Sequence, residues 1–360
     1  MLYGGRSSER EVSLVSGERV LDALKRPSSP TDRRGPLRAV GVEILADGRW
    51  KVGRRALRLG EALEALDGVD VFFSALHGGE GEDGSLQGVL RCAGRAFTGS
   101  SVAASAVAMD KVFAREIVAG RGIRIAPGRL VGRRELDLDR SRVLRELLEW
   151  KVPGWVVKPR SGGSSIGCSV VRSGEELSDA LTAAFAWEEE ALVEELIEGT
   201  EATGGVLVSP DEGALALPIV EIRPRPGRFF DYQEKYAAEG ALELCPPEGL
   251  SPKVCERLGR LAFTAHGALS CGGYSRSDFI VPAQGGEPVF LELNTLPGMT
   301  PRSLLPRAAS VAGIDYRTAC LWIVAEALRR SGTTRSVAGD SRAKETGVFR
   351  ACDGSPGASC

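Results

Sequence analysis

The sequence predicts an α/β protein with more than one domain, and three observations support this class. Apolar runs at residues 39–45 and 69–76 read as buried strands, and a helical pattern at 12–24 precedes them, as expected for a parallel sheet covered by helices. Further along the chain, two apolar strands at 275–294 flank a short glycine turn, which is typical of a hairpin. Finally, 360 residues with 43% hydrophobic content are enough for two or three cores.

Composition excludes several classes of function. A formal net charge of -2, with Lys and Arg scattered, gives no indication of a nucleic acid or an anionic membrane as partner. Eight widely spaced cysteines without a C-x-x-C pair argue against a zinc site and a disulfide framework, and favour a reducing cytoplasm. No apolar run approaches the roughly 18 to 20 residues that cross a bilayer, and no signal pattern opens the chain.

The first domain is predicted at residues 1–100. Its opening strand, "LYGG", is shorter than the apolar runs that follow, and we expect that a longer first strand is cut short here. The glycine-rich stretch from His77 follows the run at 69–76 and opens a helix near Asp83. A turn of this kind presents free backbone N–H groups to an anion.

The second domain is predicted at residues 101–197. Asp110 is suited to cap a helix from Lys111 to about Ala119. Strands are expected at 154–159, 168–171 and 191–197, with the loop "RSGGSSIG" after the first of them. Ser173 and Glu176 have the spacing of a capping box for a helix that runs through Trp187.

The third domain is predicted at residues 198–330, and residues 331–360 are predicted to be a disordered tail that is poor in large apolar side chains. Strands at 206–209 and 216–222 lead into a polar, aromatic loop at 227–244, and a helix at 253–270 follows. A hairpin then turns at Gln284–Gly286.

The end of this hairpin carries three oxygen-bearing side chains. Glu292 and Asn294 lie two apart on the second strand, which places them on one face, with Leu291 and Leu293 on the other. Antiparallel pairing brings Asp278 beside them, and such ligands suit Mg²⁺. Polar residues at solvent-exposed strand ends would produce the same pattern.

A second set of residues is suited to phosphate. Lys158 ends an apolar strand and precedes the Gly-Ser loop, which offers a positive charge and backbone donors, although the Walker A pattern is absent. Lys111, Lys235 and Arg276 are further cations whose convergence would make a phosphate site. Each of them alone is equally well explained as a solvated surface charge.

Seven motifs together resemble the D-alanine–D-alanine ligase family of the ATP-grasp superfamily. They run in family order from Gly4 to about Tyr316: "GGRSSEREVSLVSG", "ALHGGEGEDGSLQG", "TGSSVAASAVAMDK", "VVKPRSGGSSIG", "FFDYQEKY", "GYSRSDFI" and "FLELNTLPGMTPRSLLP". The resemblance implies an N-terminal α/β domain followed by a two-lobed ATP-grasp fold with the nucleotide between the lobes. It also implies that ATP phosphorylates the carboxylate of one D-alanine and that the amine of a second D-alanine displaces phosphate, for peptidoglycan precursors.

The resemblance assigns roles to individual residues. Asp278, Glu292 and Asn294 are expected to hold two Mg²⁺ or Mn²⁺ ions. The residues expected around ATP are Lys111 and Lys158 on the α- and β-phosphates, Lys235 on the γ-phosphate, Ser165 in the loop, Glu194 on the adenine amino group, backbone groups of Glu195 and Ile197 beside the base, and Glu201 on the ribose.

On the substrate side, the resemblance implies a hydrogen-bonded set of Glu9, Ser164 and Tyr236, with Glu9 on the ammonium of the first D-alanine. The remaining expected residues are Arg276 and the Gly298 N–H as oxyanion hole, Ser303 and the Leu304 N–H on the second carboxylate, and His77 and Glu82 lining the substrate end.

Some alternatives stay open at this point. The intact "EKY" sequence at Tyr236 favours an amine as second substrate by analogy with the family, but D-serine, D-lactate or a specialised amine are possible. An inactive nucleotide-binding sensor is a further alternative, whereas an oxidoreductase lacks the G-x-G-x-x-G pattern. Gly204 and Gly205 interrupt a predicted strand and are expected to cost about 1 to 2 kcal/mol of local order. The family resemblance also implies a possible homodimer.

Overall fold

The computed structural model describes residues 1–26, 37–224 and 241–332. The helices of this part are α1 (Arg10–Lys25), α2 (Leu59–Ala65), α3 (Ser85–Cys92), α4 (Val102–Met109), α5 (Lys111–Ala119), α6 (Arg133–Leu138), α7 (Arg140–Leu148), α8 (Leu177–Phe185), α9 (Pro252–Ala268), α10 (Leu304–Val311) and α11 (Tyr316–Arg330). The strands are β1 (Leu2–Gly4), β2 (Val42–Ile44), β3 (Trp50–Val52), β4 (Arg55–Leu57), β5 (Arg124–Ile125), β6 (Gly128–Gly132), β7 (Trp155–Pro159), β8 (Ser169–Val171), β9 (Glu190–Glu195), β10 (Gly199–Ser209), β11 (Gly213–Ala216), β12 (Val220–Arg223), β13 (Leu242–Leu244), β14 (Tyr274–Pro282) and β15 (Val289–Asn294).

The N-terminal sheet is only partly parallel. β1 pairs with β2 in parallel, and single parallel bridges from Leu2 to Ser74 and from Phe72 to Phe97 extend this arrangement. The apolar run at 69–76 therefore contributes bridges rather than a regular strand. The sequence missed the antiparallel pairs that join β2 to β3 and β3 to β4. Helix α1 approaches β1 closely at Gly17, where a Cβ would lie only 2.2 Å from the Tyr3 Cβ. The glycine makes this close approach possible.

The central lobe is an antiparallel sheet in the order β6-β9-β7-β8, with α8 packed on it. Apolar side chains of both, such as Val157 and Leu181, are fully buried in one core. The predicted capping box at the start of α8 is not formed. The helix begins at Leu177 without a side-chain cap, and Ser173 contributes only its carbonyl, which accepts the Glu176 N–H at 3.3 Å.

The C-terminal lobe has a seven-stranded sheet in the order β13-β12-β10-β14-β15-β5, with β11 added against β10. β10 pairs with β14 along its length, and α9 packs across both. The predicted hairpin is confirmed: β14 and β15 pair antiparallel, and Gly285 and Gly286 turn the chain with φ of +83° and +105°. This hairpin carries the predicted metal ligands.

A β-bulge in the hairpin changes which side chains face the site. Asp278 pairs with Glu292, but the next residue, Phe279, pairs with Phe290, so Leu291 is the extra residue. A bulge places two successive side chains on one face. Consequently Leu291 lines the same cavity as Glu292, while Phe290 and Leu293 are buried in the core. The expectation that Leu291 shares a face with Leu293 is wrong for this reason.

The N-terminal sheet and the end of the chain share one core. Met1, Val20 and Phe73 pack in the same buried cluster as Leu296 and Ile323. The predicted boundaries at 100/101 and 197/198 stay predictions. The predicted tail at 331–360 lies outside the described residues apart from Ser331 and Gly332, which form a turn. In the described part of the chain, no helix combines the length and apolar character needed to cross a bilayer.

Candidate active site

A cavity separates the central-lobe sheet from the C-terminal hairpin. Its walls are strands β7 and β9 on one side, β14 and β15 on the other, and the loop at 160–167 between them. The predicted residues that line it are Lys111, Lys158, Ser165, Glu194, Glu195, Ile197, Glu201, Asp278 and Glu292. Residues that the sequence prediction missed also line it, namely Ala126, Val156, Cys168, Leu196, Ile280 and Leu291. The lining thus combines apolar side chains with charged ones, which is suitable for a base and its phosphates.

Two lysines line the cavity. Asp110 caps α5 by accepting the N–H groups of Val112 and Phe113 at 3.0 and 3.1 Å, as predicted, and this cap fixes Lys111 at the first position of the helix. Lys111 Nζ donates to the carbonyl of Gly162 at 2.6 Å. Burial lowers the pKa of Lys111, although the carboxylate of Glu292 opposes this effect. A bound polyanion stabilises the charged form of such a buried ammonium group.

Lys158 belongs to a buried set of three charges. Its ammonium contacts one carboxylate oxygen of Glu194, and Arg115 Nε lies 3.1 Å from the other. Burial by itself lowers the pKa of Lys158, but Glu194 and the other nearby anions outweigh this effect, so the pKa is raised. The sequence prediction did not include Arg115. Its spacing of four residues from Lys111 on α5, which places both on one helix face, was the available signal.

The paired strands β14 and β15 carry the three predicted metal ligands. Opposite Asp278 stands Glu292, and opposite Arg276 stands Asn294. Asp278 accepts hydrogen bonds from Thr203 Oγ1 at 2.7 Å and from Arg276 Nε and Nη2 at 2.9 and 2.8 Å. Asn294 Oδ1 accepts the Leu296 N–H at 2.8 Å. The structure thus brings the three predicted metal ligands together, as the sequence indicated.

These donors fit a hard divalent cation. They are two carboxylates and one amide oxygen on adjacent strands, the ligand type that Mg²⁺ and Mn²⁺ accept together with phosphate oxygens. Within residues 1–26, 37–224 and 241–332, no group of three or more His, Cys, Asp or Glu side chains is arranged to hold a metal ion.

Glu9, just before helix α1, meets Ser164 of the 160–167 loop. Ser164, on the 160–167 loop, donates its hydroxyl to the Glu9 carboxylate, although 155 residues separate the two. Both are buried. The loop is held in an unusual backbone conformation, since Ser164 and Ser165 have φ of +55° and +57°. Gly78 lets the opposite turn approach, because a Cβ there would lie 2.5 Å from Glu9 Oε2.

His77 and Glu82 lie behind this contact. His77 Nδ1 is 3.8 Å from Glu82 Oε1 and 3.2 Å from the carbonyl of Leu296, and its Nε2 is 2.9 Å from Ser16 Oγ. Burial raises the pKa of Glu82, the nearby His77 opposes this, and the negative charge of Glu9 adds to it. Ser16 is a contact that the sequence prediction missed.

The loop after β15 carries the last predicted residues. Ser303 Oγ accepts the Thr300 N–H at 3.0 Å and lies 2.9 Å from Thr300 Oγ1, so the loop is closed on itself. A Cβ at Gly298 would lie 2.7 Å from Ser303 Oγ, which explains the glycine. Leu304 is buried at the start of α10. Lys235 and Tyr236 lie outside the described residues.

Comparisons with known proteins agree with this geometry. Residues 117–324, more than half of the chain, match the family described as D-ala D-ala ligase C-terminus, and residues 51–100 match D-ala D-ala ligase N-terminus. A D-alanine–D-alanine ligase from Geobacter sulfurreducens is 43% identical over 317 residues, which is 88% of this chain and 89% of that protein.

Solved structures agree as well. The VanG D-Ala:D-Ser ligase from Enterococcus faecalis is similar with a TM-score of 0.74 and 27% identity, over 91% of this chain and 98% of that one. The D-alanine–D-alanine ligase from Coxiella burnetii has the same fold, with a TM-score of 0.74 and 22% identity over 93% and 94% of the two chains. The fold is therefore the mixed α/β ATP-grasp fold. The sequence, the fold and the cavity lead to one conclusion: this chain belongs to the D-alanine–D-alanine ligase family.

Proposed function

We propose that this protein joins two D-alanine molecules in an ATP-dependent reaction that passes through an acyl phosphate and supplies peptidoglycan precursors. The observation that carries the proposal is the convergence of Lys111, Lys158, Asp278 and Glu292 on one cavity, with Glu9 and Ser164 in contact beyond it. Phosphoryl transfer to a carboxylate brings anions together, so the site has to neutralise and orient them.

The nucleotide is proposed to lie between the two sheets. Lys111 and Lys158 bind its α- and β-phosphates, and Ser165 contributes from the loop between them. The base lies against apolar lining residues, beside the backbone of Glu195 and Ile197, with the Glu194 carboxylate on its amino group. Glu201, on β10, binds the ribose hydroxyls in this proposal. Lys235, which the family resemblance assigns to the γ-phosphate, lies outside the described residues. Lys158 already contacts the Glu194 carboxylate. In the ATP complex its ammonium therefore interacts with that carboxylate and with the phosphates at the same time.

Asp278, Glu292 and Asn294 are proposed to hold divalent cations, two per site. When bound, Mg²⁺ or Mn²⁺ neutralises the phosphate oxygens and so favours attack by a carboxylate. Arg276 balances the Asp278 carboxylate through two hydrogen bonds, and we propose that its guanidinium also stabilises negative charge on the bound substrate.

The amino acids are proposed to bind on the Glu9 side. The Glu9 carboxylate orients the first D-alanine through its ammonium. Ser303 and the Leu304 N–H, at the start of α10, hold the carboxylate of the second D-alanine, a placement that the positive end of a helix favours. The Gly298 N–H and Arg276 stabilise the tetrahedral oxyanion. The Ser164 contact with Glu9, completed by Tyr236, excludes water from the acyl phosphate.

The test is a phosphate-release assay with purified protein, ATP and Mg²⁺. We expect release with D-alanine but not with L-alanine, and Glu292→Gln is expected to lower kcat by about two orders of magnitude, as for loss of a metal ligand. Glu287→Gln is the matched control, since Glu287 lies on the same hairpin but is solvent-exposed and pairs with Arg257. Phosphate release that needs no D-amino acid, or normal turnover in Glu292→Gln, would contradict the proposal.

A second candidate concerns only the second substrate. The similarity to a D-Ala:D-Ser ligase favours including D-serine, and D-lactate tests the inference from Tyr236. We expect D-alanine to have the highest kcat/KM of the three as second substrate. Mass spectrometry of the product identifies the bond formed.

A further inference from the structure

We propose that Ser16, on helix α1, is a positioning residue for the second half of the reaction, in which it holds the segment 296–299 and with it the Gly298 N–H. The inference rests on the proposed function, because it concerns the oxyanion that the second D-alanine creates. Ser16 does not reach the reacting atoms. It acts through His77 and through the backbone of Met299.

Ser16 is fully buried and has two polar contacts. Its Oγ lies 2.9 Å from His77 Nε2, and it accepts the N–H of Met299 at 3.4 Å. His77 in turn places Nδ1 3.2 Å from the carbonyl of Leu296. Ser16 and His77 therefore contact the segment 296–299 at both of its ends, and Gly298 lies between the two contacts.

The chemistry of these groups fixes the direction of the hydrogen bonds. The Leu296 carbonyl only accepts, so Nδ1 of a neutral His77 carries the proton and Nε2 is left as an acceptor. Ser16 then donates its hydroxyl to Nε2 and uses its oxygen for the Met299 N–H. One hydroxyl thus satisfies the acceptor nitrogen of this His77 tautomer and also holds the residue after Gly298.

A further contact keeps the segment in place when Ser16 is altered. Tyr316, at the start of α11, donates its hydroxyl to the Met299 carbonyl at 2.6 Å. Met299 itself is buried in the core. Removal of the Ser16 hydroxyl should therefore leave the pocket folded but free one backbone N–H and one imidazole nitrogen, which loosens the segment without unfolding it. A shift of an oxyanion donor is costly for rate because such donors work only when fixed in advance.

The test compares Ser16→Ala with the wild-type enzyme in both halves of the reaction. We expect kcat for dipeptide formation to fall and the KM of the second D-alanine to rise, each about tenfold, since an unsatisfied buried group costs about 1 to 3 kcal/mol. The KM of ATP should stay within about twofold. D-alanine-dependent positional isotope exchange in ATP, which reports acyl-phosphate formation, should be retained. Tyr316→Phe should give the same signature.

Ser275→Ala is the matched control. Ser275 is equally buried and its Oγ lies 2.7 Å from Nδ1 of the other histidine, His266, on helix α9. It should lose a comparable amount of stability while its second-substrate KM stays normal. Unchanged second-substrate KM and kcat in Ser16→Ala, or equal losses for ATP and D-alanine, would overturn the inference. Failure of the proposed function is a separate result, because the wild-type enzyme itself would then show no D-alanine-dependent phosphate release.

Discussion

Both histidines of the chain are buried and each contacts a serine, but their surroundings differ. His77 lies among polar groups that include Ser16 and Glu82. His266 lies on α9 against β14, with the Ser275 hydroxyl as its polar partner, and burial lowers the pKa of His266 to about 4. A protonated imidazole is therefore strongly disfavoured in the folded protein.

The lowered pKa predicts how stability depends on pH. Because the folded-state pKa of His266 is below the unfolded value of 6.5, the unfolded state binds more protons below pH 6.5. Stability should fall as pH falls from 6.5 towards 4, by up to about 3 kcal/mol from this group. Urea unfolding of wild type and His266→Gln over this range measures the difference. Parallel pH profiles for the two proteins would argue against the assignment.

At the scale of elements, two adjacent glycines decide how β10 packs. They make room for neighbouring side chains, and the expected cost to the local order of the strand stays a prediction. A Cβ at Gly204 would lie 2.7 Å from the Ala262 Cβ of α9, and one at Gly205 would lie 3.1 Å from methyl groups of Leu217 and Leu305. Helix α9 therefore lies directly on the strand at Gly204.

This close approach predicts different costs for alanine at three positions. Gly204→Ala should lower the free energy of unfolding by about 2 kcal/mol, because a rigid Cβ on the helix is in the way. Gly205→Ala should cost less, since flexible leucine side chains can move. Gly267→Ala, on the exposed face of α9 with open space around it, should stabilise by up to about 1 kcal/mol. Urea denaturation compares them, and equal effects at Gly204 and Gly267 would contradict the packing explanation.

At the scale of the whole molecule, the end of α11 connects the first part of the chain to the last. Arg330 donates to the carbonyls of Gly99 at 2.7 Å and Phe97 at 3.2 Å, and its Nε lies 2.8 Å from the buried Glu326 carboxylate. Burial raises the pKa of Glu326, while Arg330 and Arg329 oppose that rise. Arg330 thus stabilises a buried charge and a contact between distant segments at once.

Removal of this arginine should destabilise the protein beyond the loss of a surface charge. We expect Arg330→Ala to cost about 2 kcal/mol, because Glu326 is then left buried without its partner. The double variant with Glu326→Gln should recover part of that loss, since no charge remains unpaired. Arg329→Ala, the exposed neighbour, is the control and should cost less than about 0.5 kcal/mol. Thermal unfolding of the four proteins is the measurement, and a double variant no more stable than Arg330→Ala would speak against this account.

Much of the site was readable from residue order. The hairpin that joins Asp278 to Glu292, the cap of α5 that fixes Lys111, and the strand that ends in Lys158 all depend on contacts between neighbours in sequence or on a two-strand turn. Local periodicity and turn chemistry are enough to predict such contacts. The family resemblance added the contact of Glu9 with Ser164, which is confirmed across 155 residues.

Other features depend on tertiary packing and could not be predicted from local sequence patterns. The bulge that turns Leu291 into the cavity depends on how β14 and β15 align, and the partly antiparallel N-terminal sheet depends on which short strands pair. Arg115 meets Glu194, and Ser16 meets Met299, across 79 and 283 residues. The sequence by itself determined the family, the expected reaction and most of the charged groups of the cavity, because these are written in residue types and their order. Only the tertiary structure decided which buried groups neutralise and hold one another, because such pairing depends on distances between segments that no local pattern records.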